Sequence, residues 1–136
     1  MNVEMLAYFL LGIIVIIAAL SLGLFGWLAY NHYLKWSAAN RRANELLRSV
    51  LTRQQYRHLM RRGYLDIPSP RDPERIYRVP RSQGLVGVIQ QGRRKASLCL
   101  QPVEWVPDAD TVVMHKLMIE ADEETYLQTA NKLAPR

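Results

Sequence analysis

The chain has 136 residues, 18 Lys and Arg against 12 Asp and Glu, and a formal net charge of +6. One cysteine, Cys99, excludes an intramolecular disulfide and a staple-dependent secreted domain, and reads as a small buried apolar residue. The charge is uneven: residues 1–34 carry only Glu4, residues 35–62 hold eight Lys or Arg against Glu45, and residues 96–136 hold three basic residues against seven acidic ones.

From Met5 to Tyr30 no residue is charged. As a helix, this stretch would be about 39 Å long against a hydrocarbon core of about 30 Å, which predicts a transmembrane segment over residues 1–34. A signal peptide would carry a basic n-region and a small-residue cleavage site. Here Met1, Asn2, Val3 and Glu4 precede the run and Gly26-Trp27-Leu28-Ala29-Tyr30 ends it, so the expectation is a retained anchor. Basic residues follow the span and none precede it, which predicts an outer N-terminus and a cytoplasmic domain. Trp27, Tyr30, Tyr33 and Trp36 are expected interfacial anchors. Ala19, Gly23, Gly26 and Ala29 form a small-residue stripe where a second membrane helix could pack.

Residues 35–62 form a basic helical neck. A first helix, 35–51, has apolar positions at Ala39, Ala43, Leu46, Leu47, Val50 and Leu51. Thr52 is placed to cap a second, with Gln55 as capping-box partner and Gly63 as its C-terminal stop. Tyr56, Leu59 and Met60 make that helix's apolar face. Lys35, Arg41, Arg42, Arg48, Arg53, Arg57 and Arg61 are the expected contacts for anionic lipid or a partner.

Residues 63–136 predict a small α+β domain packed with the second neck helix. Tyr64–Ile67 and Arg75–Val79 alternate as strands, separated by Pro68, Pro70 and Pro73. Leu85–Gln90 is a third strand, Gln91-Gly92-Arg93-Arg94 a turn, and Ala96–Val103 a fourth strand. Gly84 and Gly87 allow bending or close packing. Asp110 is an expected helix cap, followed by a core stripe of Val113, Met114, Leu117 and Met118, with Lys116 and Glu120 paired on the surface. Asp122, Glu123 and Glu124 are solvated charges opening a last helix, whose buried face is Tyr126, Leu127, Ala130 and Leu133. The predicted fold class is α+β: a single N-terminal transmembrane helix, then a small antiparallel-sheet domain flanked by helices.

The runs RRGYLDIPSP, RIYRVPR, SLCLQP and VPDADTVVMHKLMIEADEETYLQTANKL resemble an uncharacterised small bacterial α+β domain over Leu46 to Leu133. That resemblance implies a bacterial source and no chemistry.

No catalytic residues, cofactor or metal site are expected. His32, His58 and His115 lie in different elements, and the acidic residues at 120–124 do not match a calcium-loop spacing. Tyr56, Tyr64 and Tyr77 each suit core positions, so neither nucleic acid nor a small-molecule substrate is an expected partner. The reading is a non-enzymatic module anchored in the bacterial inner (plasma) membrane, contacting lipid and other membrane subunits as an accessory or assembly subunit. The alternative is a stand-alone tethered adaptor or sensor for a soluble partner.

Overall fold

A computed structural model describes residues 3–134. The chain is α+β: a long N-terminal apolar helix, then helices around a five-stranded antiparallel sheet. The elements are α1 (Val3–Val50), α2 (Arg53–Arg62), β1 (Tyr64–Pro68), β2 (Arg75–Pro80), β3 (Val86–Gln90), β4 (Arg93–Cys99), α3 (Asp108–Ala121), α4 (Glu123–Thr129) and β5 (Asn131–Leu133). Two compact units divide at Ala38/Ala39, so the neck from Ala39 onward belongs to the second unit.

Within Met1–Ala38, α1 is long and apolar enough to cross a membrane, a property shared by single-pass anchors and signal sequences. Its large side chains from Tyr8 to Trp36 face outward.

The second unit is built on short-range signals that hold. Thr52 accepts a hydrogen bond from Gln55 N–H, and the Gln55 side chain accepts one from Thr52 N–H, closing the capping box at the start of α2. Gly63 ends α2 at φ 76°, with its N–H donating to the Leu59 carbonyl. The strands run in order β1-β2-β3-β4-β5, each antiparallel to its neighbour. One sheet face carries Leu65, Ile67, Tyr77, Val79, Val86, Val88 and Leu98 into the core. Ala43, Leu47, Leu51, Leu59, Val112, Val113, Ile119 and Tyr126 meet them from the helical side. Burying each such aliphatic side chain contributes about 1.5–3 kcal/mol.

Several expectations change. Among the described residues there are five strands rather than four. The last helix stops at Thr129, Ala130 turns extended at φ −78° and ψ 134°, and 131–133 pair with β4. The outer backbone groups of Ser97–Cys99 need partners, which an extended chain supplies and a continued helix would not. Leu133 is therefore exposed instead of buried. The β3–β4 turn is only Gln91-Gly92, both at positive φ (52° and 73°), so β4 begins at Arg93 and ends at Cys99. Such a two-residue turn matches the twist of the hairpin. Val103 is fully exposed, outside any strand, and β3 opens at Val86 with Leu85 exposed. Cys99 is half-buried.

On α3 the inward face is rotated from its expected position. Val112, Val113, His115, Lys116 and Ile119 are buried, Met114 and Met118 are half-buried, and Leu117 is 49% exposed. The Lys116–Glu120 ion pair forms, but Lys116 is buried. Pro107 occupies the cap position of α3, and Asp110 lies in its first turn without capping it. Leu46 points to solvent while Ala43 and Leu47 are buried, as the helical period requires.

Candidate functional site

The sheet has two faces because strand side chains alternate. Opposite the core, β1 presents Tyr64 and Asp66, β2 presents Ile76, Arg78 and Pro80, and β3 presents Gly87 and Ile89. Register brings Asp66 opposite Arg78 and Arg78 opposite Gly87. On this face lies a groove of about 400 Å³ bounded by Tyr64, Arg78, Pro80, Leu85, Ile89 and Arg94, with Gly63, Gly87 and Gly92 in its lining.

Two guanidinium groups define its chemistry. Arg78 binds Asp66 through both edges, Nε to Oδ1 at 2.8 Å and Nη2 to Oδ2 at 2.9 Å. Its plane also stands 4.1 Å from the Tyr64 ring centroid, a cation–π contact. The hydrogen bond to Asp66, opposed by burial and helped by the carboxylate charge, holds the guanidinium above its ordinary value. Arg94 comes from the next hairpin arm. A register shift between Val88 and Ile89 sets Val88 opposite Ala96 and Ile89 opposite Arg94, leaving Lys95 as the extra residue. Such a bulge re-aims the neighbouring side chain. The Arg94 guanidinium lies on the Gly87 backbone: a Cβ at Gly87 would stand 3.2 Å from Nε and 3.3 Å from Nη2. Among the described residues Arg94 has no ion-pair partner.

The core side holds a second polar cluster. Glu123 is buried at the start of α4, contrary to its expectation as a solvated charge. It accepts hydrogen bonds from Ser69 Oγ, Tyr77 Oη, Arg75 Nη1 at 3.0 Å and Arg71 N–H at 3.3 Å. Burial pushes its pKa up, but the donors Tyr77, Ser69, Arg75 and Arg71 outweigh that and hold it below the ordinary carboxylate value. Deeper in, Tyr126 Oη and His115 Nδ1 lie 2.9 Å apart. Desolvation lowers His115 to about 4. All of Glu123's donors come from its own domain, so this cluster joins the β1–β2 loop to α4.

The sequence-predicted residues fall elsewhere. Arg41, Arg42, Arg48, Arg53, Arg57 and Arg61 are exposed in the second unit, and Lys35 lies in the first. Arg53, Arg57 and Arg61 follow one edge of α2. Arg48 is partly committed: its Nε donates to Tyr56 Oη at 3.1 Å and its guanidinium sits 5.4 Å from that ring. Ala19, Gly23, Gly26 and Ala29 are exposed, as are Trp27, Tyr30, Tyr33 and Trp36. A Cβ at Gly23 or Gly26 would meet nothing within 4 Å.

Of Tyr56, Tyr64 and Tyr77, which each suit core positions by sequence, Tyr77 is buried, Tyr56 packs partly buried against the core, and Tyr56 and Tyr64 each carry an arginine on their ring. Sequence reasoning missed the Arg78–Asp66–Tyr64 group and the Arg94–Gly87 contact. Alternation does place Tyr64 and Asp66 on one face, but only strand register brings Arg78 to them. No family model, curated protein or solved structure matches this chain.

Proposed function

We propose that this protein is a non-enzymatic, membrane-anchored interaction module, an accessory or assembly subunit of a bacterial inner-membrane complex. The carrying observation is the run of outward-facing apolar side chains on α1, from Tyr8 through Leu34, which the chain itself leaves uncovered. So large an apolar surface is stable only against lipid or protein. A helix is one of the two structures that can satisfy its backbone inside a bilayer. The helix also continues unbroken through the basic flank to Val50.

The basic flank favours a cytoplasmic second unit with the N-terminus outside. Lys35, Arg41, Arg42, Arg48, Arg53, Arg57 and Arg61 supply the contact with anionic headgroups or a partner, at about 1 kcal/mol per basic residue near the surface. The small-residue stripe from Ala19 to Ala29 is where a partner's membrane helix packs.

The test is purification of the tagged protein from native membranes in mild detergent, followed by gel filtration and mass spectrometry. Stoichiometric membrane-protein partners are expected. Recovery with soluble proteins alone would replace this reading with a stand-alone tethered adaptor or sensor. Recovery in the soluble fraction without the N-terminal segment would identify that segment as a cleaved signal and overturn the anchor.

A further inference from the structure

We infer that the outer sheet face is the partner-binding surface of the domain, and that it takes an acidic side chain of a protein partner, flanked by apolar residues, on Arg94. This rests on the reading of the chain as an interaction module and specifies where and by what chemistry it binds.

The charge balance on this face is unequal. Asp66 is its carboxylate, and Arg78 engages both of its oxygens at 2.8 and 2.9 Å. Arg94 is left without an acidic partner among the described residues. The neighbouring Lys95, the extra residue of the bulge, is exposed and adds the same sign. Complementarity therefore calls for a negative ligand.

The geometry makes Arg94 a prepared receptor. The bulge carries it to the outer face, and the missing Cβ of Gly87 lets the guanidinium rest on the strand. A guanidinium so supported presents a fixed fork to the two oxygens of a carboxylate. Arg78 is held beside it by Tyr64 and Asp66, its charge offset by the Asp66 carboxylate, and so does not compete for the ligand.

The surroundings select what flanks the carboxylate. Leu85 and Ile76 are 38% and 36% exposed on the surface, and Ile89 and Pro80 line the groove. A groove of about 400 Å³ has room for an acidic side chain and an adjoining aliphatic one. A bare phosphate would leave the apolar walls unused.

The experiment follows the Arg94 Nε–Hε resonance of the full chain in neutral detergent micelles by NMR. The probes are N-acetyl-Leu-Asp-Leu-amide, its Leu-Asn-Leu counterpart and inorganic phosphate. The Asp peptide is expected to saturate the Arg94 shift and bind about tenfold or more tighter than the Asn peptide, the worth of a charge-assisted hydrogen bond. Arg94→Gln, at an exposed position, is expected to abolish that preference, read on the Gly87 amide. Equal binding of the two peptides, no saturable shift, or phosphate binding more tightly than the Asp peptide would each overturn the assignment. If the peptides fail while membrane partners still co-purify, the interaction module stands and its docking face lies elsewhere.

Discussion

Ser69 Oγ lies 2.8 and 2.7 Å from the two carboxylate oxygens of Glu123, a residue 54 positions later in the chain. The same hydroxyl accepts from the backbone N–H of Arg71 at 3.2 Å and of Asp72 at 2.9 Å. One small side chain thus orders the β1–β2 loop and ties it to the start of α4. With Tyr77 and Arg75 bound to the same carboxylate, Glu123 is the hub on which that corner of the domain depends.

Glu123→Ala is therefore expected to destabilise the second unit by about 3–5 kcal/mol, because it leaves buried donors and part of a guanidinium unpaired. Glu123→Gln retains the shape and should lose about 1–3 kcal/mol. Native-state hydrogen exchange at the amides of β1 and β2 measures both. Unchanged protection in the alanine variant would show that the cluster contributes no net stability.

Acid should weaken the domain in two separable windows. Burial lowers His115 to about 4 from an ordinary 6.5, so between those values the unfolded chain holds a proton that the folded chain excludes. Stability from this residue is complete above pH 6.5 and falls on acidification towards pH 4, by about 3 kcal/mol. Glu123 acts lower. Its folded value lies below 4.5, so its contribution is present above pH 4.5 and is lost as pH falls through the folded value. Urea midpoints from pH 7 to pH 3.5 report the sum. His115→Asn should flatten the upper window and leave the lower one.

The two ends of α2 offer local tests. Thr52→Ala removes the side-chain half of the capping box and is expected to cost about 1 kcal/mol. Gly63→Ala places a Cβ at φ 76°, with an expected loss of about 1–2 kcal/mol. The alanine meets no neighbour, so its effect is conformational strain rather than a clash. Equal denaturation midpoints for Gly63→Ala and the parent would contradict this.

Gly23→Leu tests lateral packing of α1. Open space around Gly23 predicts that the substitution leaves the second unit's stability unchanged. A partner helix seated on the stripe would be pushed away, so co-purified membrane proteins should fall several-fold in mild detergent. Equal recovery from both proteins would assign lateral contacts to another face of α1.

Local chemistry was enough for the sequence by itself to determine the uncharged helix before Tyr30, the Thr52–Gln55 box, the Gly63 stop, strands β1 and β2, and the α+β class. Each is set by residues within a few positions of one another. Only the tertiary structure decided which carboxylate is buried, since Glu123 and Glu124 have the same local signal and differ in whether Ser69, Tyr77 and Arg75 reach them. It likewise decided that His115 and Lys116 face the core while Leu117 does not, with Tyr126 of α4 supplying the polar partner of His115. Residues 131–133 became a strand because β4 had backbone groups to satisfy. The outer groove depends on register, which sets Asp66 against Arg78 and Arg78 against Gly87, and on a bulge that carries Arg94 beside them. Long-range pairing alone places these residues together, and no pattern within one segment encodes it.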